Sequence, residues 1–208
     1  RYSPCAGYAQ LSLQRHKSGG ALSKAKEHDT ENYPAGYERL VALKTGEFVF
    51  IRPVTATDAP LLKDLFSKLS QETIFARFLG LMRALPDGLL YQFTHLDYVN
   101  HFALAAAIRE EQGESVIAVG RYAWNAEIQM PELAFAIRDD WQGKGLGTVL
   151  FHRIAEAAVQ NGFIRFHCLV KPDNSAMRGI IEKSGFPYSV RYTGGFCYYE
   201  SDISGIFL

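Results

Sequence analysis

Arg138-Asp139-Asp140-Trp141-Gln142-Gly143-Lys144-Gly145-Leu146-Gly147-Thr148-Val149 lies between a strand-like run, residues 132–137, and a helical one, residues 146–161, so its glycines fall where a strand turns into a helix. Gly143, Gly145 and Gly147 lack the Cβ atoms that would hold an anion away from the backbone, and they accept φ values that other residues resist. Several amide N–H groups can therefore converge on one ligand. Those in the first turn of the helix have no intrahelical partner and are reinforced by the positive end of the helix dipole. This is the physical basis of a phosphate or pyrophosphate cradle.

Two common phosphate loops do not fit. The Walker pattern places Ser or Thr directly after its lysine, whereas Lys144 is followed by Gly145, which disfavours nucleoside triphosphate hydrolysis. The dinucleotide fingerprint needs a third glycine where Thr148 stands, and a βαβ unit with a ribose-binding acid behind it. What remains is Gln142-x-x-Gly145-x-Gly147.

The chain has 208 residues, 48% of them hydrophobic, enough for a sizeable core in one large domain. Lys plus Arg and Asp plus Glu each number 22, so no net charge draws it to nucleic acid or an anionic membrane, and any basic function is local. Cys5, Cys168 and Cys197 are odd in number and widely spaced, with no Cys-x-x-Cys or His pair beside them. That argues against a disulfide framework or a metal site and for free thiols in a reducing compartment. No apolar run approaches the roughly 18 residues that span a bilayer, and the amino terminus lacks a signal-like apolar core, so a cytoplasmic location is expected.

Residues 1–37 show no sustained period apart from a possible short helix over 23–29, and they read as a tail or linker; a start on Arg1 rather than Met suggests a piece of a longer chain. The folded domain is expected over residues 38–208. It opens with a hairpin of residues 38–43 and 48–53 around Lys44-Thr45-Gly46. Thr55, Thr57 and Asp58 supply N-cap chemistry for an amphipathic helix over 57–69, Ser70 can cap a second helix, and a short third helix covers 85–94. Strands follow at 101–108, 116–124 and 132–138, then a helix at 146–160, a strand at 164–170 and a helix at 175–184 stopped by Gly185. Strands 189–193 and 196–202 close the chain around the turn Gly194-Gly195. The fold class is α/β, with a mixed, mostly antiparallel sheet flanked by helices.

The loop resembles the acyl-CoA pyrophosphate loop of the GNAT superfamily of N-acetyltransferases, Gln/Arg-x-x-Gly-x-Gly/Ala, and the element order fits the GNAT acyl-CoA N-acyltransferase fold. The run from Glu132 to Thr148, with Ile51-Arg52-Pro53, Asp58 and Leu69-Ser70 leading to Arg77-Phe78, looks like the catalytic domain of bacterial protein lysine acetyltransferases that modify acyl-CoA synthetases. Tyr33-Pro34-Ala35 and Tyr37-Glu38 are similar to the segment that precedes that domain.

The resemblance implies acetyl-CoA as cosubstrate, without a metal, and the ε-amine of a lysine on an acyl-CoA synthetase as acceptor. A small-molecule amine acceptor, or a non-catalytic acyl-CoA sensor, are the alternatives. Gln142, Gly143, Lys144, Gly145, Leu146, Gly147 and Thr148 would hold the pyrophosphate, and Asn174 would contact coenzyme A. Main-chain groups of Phe135, Ala136 and Ile137, in a locally splayed or bulged strand, would polarise the thioester and pair with pantetheine. A lysine ammonium has a pKa of about 10.4, so near neutral pH only about one molecule in a thousand is nucleophilic, a deficit of about 4 kcal/mol. The family's general base falls on Glu132. The family's thiolate-protonating tyrosine, four residues before Gly185, is here Ile181, which leaves Tyr188, Tyr192, Tyr198, water or no acid. Arg77 either orients a protein partner or pairs with a local acid, and His101, near the expected sheet edge, is a candidate for lining the acceptor pocket. The remaining histidines and Cys168, on one strand face with Phe166 and Val170, read as structural.

Overall fold

A computed structural model of the chain describes residues 32–207; the possible helix at 23–29 and Cys5 lie outside them. The strands are β1 (Arg39–Ala42), β2 (Phe48–Pro53), β3 (His101–Glu110), β4 (Gly113–Asn125), β5 (Met130–Ile137), β6 (Arg165–Val170), β7 (Tyr188–Thr193) and β8 (Phe196–Asp202). The helices are α1 (Ala59–Ser67), α2 (Gln71–Phe78), α3 (Asp87–Thr94), α4 (Leu146–Gln160) and α5 (Ser175–Glu182). None is long and apolar enough to cross a membrane.

The strands form one sheet in the order β1-β2-β3-β4-β5-β6-β8-β7. Every neighbouring pair is antiparallel except β5 and β6, which run parallel on either side of the α4 crossover. The apolar run of β3 is explained by burial on both faces. Phe102, Leu104 and Ala106 belong to the core under α4, whereas Ala103 and Ala105 belong to the core under α1, α2 and α3. Edge strand β7 is almost wholly exposed, in keeping with its polar residues. Residues 33–37, read above as the end of a linker, lie on the sheet: Tyr37 meets the Phe102 ring edge-on at 5.0 Å and its hydroxyl donates to Gln160.

Caps follow the local sequence. The Ser70 hydroxyl accepts from the Thr73 amide at the start of α2, and Thr55 and Asp58 form a capping box before α1. Arg52 from β2 grips Asp58 with two hydrogen bonds, at 2.7 and 2.6 Å, fixing α1 to the sheet.

The junction of β5 and β6 positions the site. The two strands pair at one point, Glu132 with His167, and diverge beyond it. Pairing of β5 with β4 is unbroken from Met130 to Ile137, so the irregularity in β5 is a splay rather than a bulge; the sheet's register shift lies between β3 and β4, where Ile117 of β4 is the extra residue opposite Ala106 and Ala107.

Candidate active site

The gap between β5 and β6 opens into a crevice of about 730 Å3. Its walls are α2, with Glu72, Phe75 and Arg77, and α5, with Ala176 and Ile180; its head is the glycine loop and its far end holds Glu132. Of the residues singled out from the sequence, Glu132, Phe135, Ile137, Gln142, Gly143, Gly145, Leu146, Gly147, Thr148 and Asn174 all line this one space.

Strand geometry decides which backbone groups face it. The Arg138 amide donates to the Ile117 carbonyl of β4 at 2.9 Å. Alternation then turns the amides and carbonyls of Ala136 and Ala134 toward β4, and those of Phe135 and Ile137 toward the gap. Ala136 is therefore the exception among the three strand residues: its main chain is spent on β4, and its side chain lines a separate apolar cavity beneath α1, α2 and α3. The Ile137 carbonyl accepts from Gln142 Nε2 at 3.1 Å, and the same nitrogen donates to the Thr73 hydroxyl. Gln142 thus ties the loop to β5 and α2.

The loop supplies the expected donors. Gly145 stands before α4 with φ 87° and no side chain caps the helix, which leaves the first-turn amides of Leu146, Gly147 and Thr148 without intrahelical partners. Gly143 is also left-handed, at φ 75°, and a Cβ on either glycine would enter open space. These features fit a diphosphate, because a side chain at either position would project into the space where amides converge.

Gly147 serves another purpose. A Cβ there would lie 2.5 Å from Cδ1 and 2.7 Å from Cγ1 of Ile180, and 3.1 Å from Cδ1 of Ile137, so the missing atom lets α4 approach α5. Gly147→Ala is expected to destabilise the fold by about 1–2 kcal/mol. Adding Ile180→Val, which removes the Cδ1 atom, should recover part of that loss in urea titrations; additive losses would place the strain elsewhere.

Lys144 does not line the crevice. Its ammonium is 2.7 Å from Glu47 Oε1, in the turn before β2, and 4.4 Å from the centre of the Trp141 ring. Its hydrogen bond holds the Glu47 carboxyl down at about 2. The lysine anchors the loop to the first hairpin, a role that the sequence pattern left unread.

Asp139 is a second anchor. Its carboxylate accepts from the Ser70 amide at 2.9 Å and from the hydroxyls of Ser70 and Thr73, both at 2.7 Å, joining the loop to the start of α2. Burial pushes its pKa up, but the bonds from Ser70 and Thr73 outweigh it and hold the group below the usual carboxylate range. With the folded pKa below the unfolded one, the stabilisation is full above the unfolded value and is lost as pH falls through the folded value. Asp139→Asn is expected to cost about 1 kcal/mol at neutral pH, and the difference from the wild type narrows below the unfolded carboxyl's pKa. Denaturant titrations across pH check it.

Glu132 is half-buried and its Oε2 accepts from Asn125 Nδ2 at 3.4 Å. Asn174 caps α5, its Oδ1 accepting from the Met177 amide at 3.0 Å, a bond that does not use the Nδ2 donors. Ile181 is fully buried and turned into the core, and it is Ile180 on the neighbouring helical face that reaches the crevice. No tyrosine or histidine is among the residues lining the crevice. Tyr188 and Tyr192 are exposed on β7. His101 lies on an interior strand, not an edge, with Nδ1 3.6 Å from Asp97 and outside the crevice. The Arg77 side chain makes no ion pair or hydrogen bond among the described residues; its guanidinium lies 4.9 Å from the centre of the Phe78 ring and 5.7 Å from that of Phe93. Burial, reinforced by the Glu132 charge, pushes the Cys168 thiol far above its ordinary range, so it stays protonated and is a poor nucleophile.

Comparisons with known proteins identify the family to which this fold belongs. Residues 49–187 match the family described as Acetyltransferase (GNAT) domain. An acetyltransferase of Pseudomonas aeruginosa is 32% identical over 145 residues, covering 70% of this chain and 78% of that protein. The acetyltransferase Pat of Mycolicibacterium smegmatis is 33% identical over 146 residues, again 70% of this chain but 43% of that protein, so the chain spans less than half of Pat. Among solved structures, the GNAT domain of S. lividans PAT superposes with a TM-score of 0.75 at 30% identity, covering 82% of this chain and 99% of that one. A Salmonella typhimurium protein solved with acetyl-CoA shares the fold, with a TM-score of 0.59 at 16% identity, covering 75% of this chain and 94% of that one. The chain belongs to the GNAT acetyltransferase family.

Proposed function

We propose that the chain transfers the acetyl group of acetyl-CoA directly to the ε-amine of a protein lysine, with Glu132 as general base and an acyl-CoA synthetase as the type of target. The observation that carries this reading is the placing of Glu132 and the uncapped start of α4 in one crevice, at opposite ends of the split between β5 and β6. The likeness to Pat and to S. lividans PAT supports a protein acceptor.

Each residue then has a definite task. The amides of residues 145–148 bind the diphosphate. Main-chain groups of Phe135 and Ile137 face the pantetheine arm and the thioester carbonyl, where a positioned N–H stabilises the charge that develops on oxygen. Glu132 takes a proton from the acceptor ammonium, the free amine attacks the carbonyl carbon, the C–S bond breaks, and the departing thiolate takes the second proton that the nitrogen loses as the amide forms. A thiolate is a tolerable leaving group, since an ordinary thiol has a pKa of about 8.5. The mechanism therefore does not require a tyrosine at position 181.

Purified protein, radiolabelled acetyl-CoA and a cell lysate test the assignment. A discrete labelled protein band, mapping to lysine in an acyl-CoA synthetase, is the expected result. Label confined to small amines would replace the acceptor class, and binding of acetyl-CoA without transfer to anything would overturn the catalytic reading in favour of a sensor.

A further inference from the structure

We propose that His167 is a proton relay behind the catalytic carboxylate, carrying to solvent the proton that Glu132 takes from the acceptor. The proposal rests on Glu132 being the base. Its geometry is a row of three side chains across neighbouring strands. Glu132 on β5 is the register partner of His167 on β6, at the one point where the two strands pair, and His167 is in turn the register partner of Glu200 on β8. Phe166, Cys168 and Val170 of β6, with Cys197 and Tyr199 of β8, pack into the core under α4, so His167 and Glu200 occupy the opposite face. Leu133, Phe135 and Ile137 enter that same core, which turns Glu132 to the face of His167. Register partners on one face have Cβ atoms about 5 Å apart, within reach of a carboxylate and an imidazole.

The histidine carries an unmet polar demand. Its Nδ1 is buried and has no hydrogen-bond partner among the described residues. An orphan ring nitrogen in a protein interior is costly, and a proton-carrying role next to an acid–base group accounts for it. His167 is not among the crevice-lining residues, so it acts through Glu132 rather than on substrate.

The surrounding charges suit a transient imidazolium. Burial lowers the imidazole pKa and keeps the ring neutral in the resting state, while Glu132 and Glu200 favour its protonated form and Arg191 on β7 opposes it. Tyr198, on β8, has its ring 5.8 Å from the imidazole, and Arg165, on β6 itself, is engaged with Glu200 at 2.8 Å. The acceptor ammonium gives one proton to the Glu132 carboxylate, the resulting carboxylic acid passes it to a His167 ring nitrogen, and the imidazolium releases it to water beside Glu200, leaving both residues as they began.

Two measurements test the relay. The first needs no turnover: the His167 ring resonance is titrated by NMR in the wild type, Glu132→Gln and Glu200→Gln. Both substitutions are expected to move its midpoint to lower pH, and an unmoved midpoint in both would overturn the proposal. The second follows initial rates of labelled acetyl transfer to lysate protein against pH. His167→Gln should lower kcat about tenfold or more, leave the KM for acetyl-CoA unchanged and lose the acid-side limb set by the imidazole. In His167→Ala, added imidazole should restore part of the rate, which distinguishes a lost relay from a damaged fold. If Glu132→Gln is impaired while His167→Gln keeps the wild-type kcat and pH profile, the relay alone is wrong. If Glu132→Gln turns over normally, the base assignment fails and the relay falls with it.

Discussion

Glu132→Gln is expected to lower turnover by about a hundredfold or more while leaving coenzyme A affinity close to that of the wild type. At neutral pH a lysine amine is protonated in all but about one molecule in a thousand, and a positioned carboxylate recovers a factor of about a hundred to ten thousand. Gln keeps the size of the side chain and an oxygen for Asn125 Nδ2, so the crevice and its register with β6 remain. It cannot accept a proton from an ammonium. The loop that would hold the diphosphate lies at the other end of the crevice, which is why binding and turnover should separate. A hundredfold loss corresponds to about 2.7 kcal/mol of transition-state stabilisation. The deficit should also shrink as pH rises toward the amine's own pKa, because the free amine then forms without help. Calorimetric binding of coenzyme A and rates from pH 7 to 10 check both parts; an unchanged rate near neutral pH would remove Glu132 from the mechanism.

How much of this was legible in the sequence depends on the range of the interaction concerned. Among the described residues, periodicity and turn residues place every helix and strand to within a few residues, from the hairpin around Gly46 to the one around Gly194 and Gly195, because those signals are local. The strand-loop-helix around Gly145 is equally local, and the φ of 87° is the conformation that glycine serves. Long-range ties are another matter. Nothing near Asp139 announces that its carboxylate caps a helix 69 residues earlier in the chain, nor does anything near Lys144 point to Glu47, 97 residues away. The pattern of three glycines reads as one cradle, yet Gly147 answers to Ile180 on another helix. A family position such as 181 names a residue type without its facing, and only the packing of α5 shows that Ile181 enters the core. His167 lacks a partner at metal-ligand spacing, so it reads as structural until the parallel pairing sets it beside Glu132.

Gly145→Val is expected to abolish coenzyme A binding at concentrations that saturate the wild type. Two effects act together. A β-branched residue at φ 87° is strained by about 1–3 kcal/mol, which distorts the turn that aims the amides. Its side chain also projects into space that is open in the wild type, where the amides of residues 145–148 converge. Losing two hydrogen bonds to a charged group, each about 1.5–3 kcal/mol, already amounts to about a hundredfold or more in affinity. Strain alone could lower affinity by loosening the fold, and Gly162 separates the causes. It too is left-handed, at φ 85°, with open space around its Cβ position, but it follows the other end of α4 and does not line the crevice. Gly162→Val should therefore melt earlier than the wild type yet bind coenzyme A as tightly, whereas Gly145→Val should lose binding even at temperatures where it is fully folded. Equal binding by Gly145→Val and the wild type would refute the cradle and, with it, the placing of the thioester between β5 and β6.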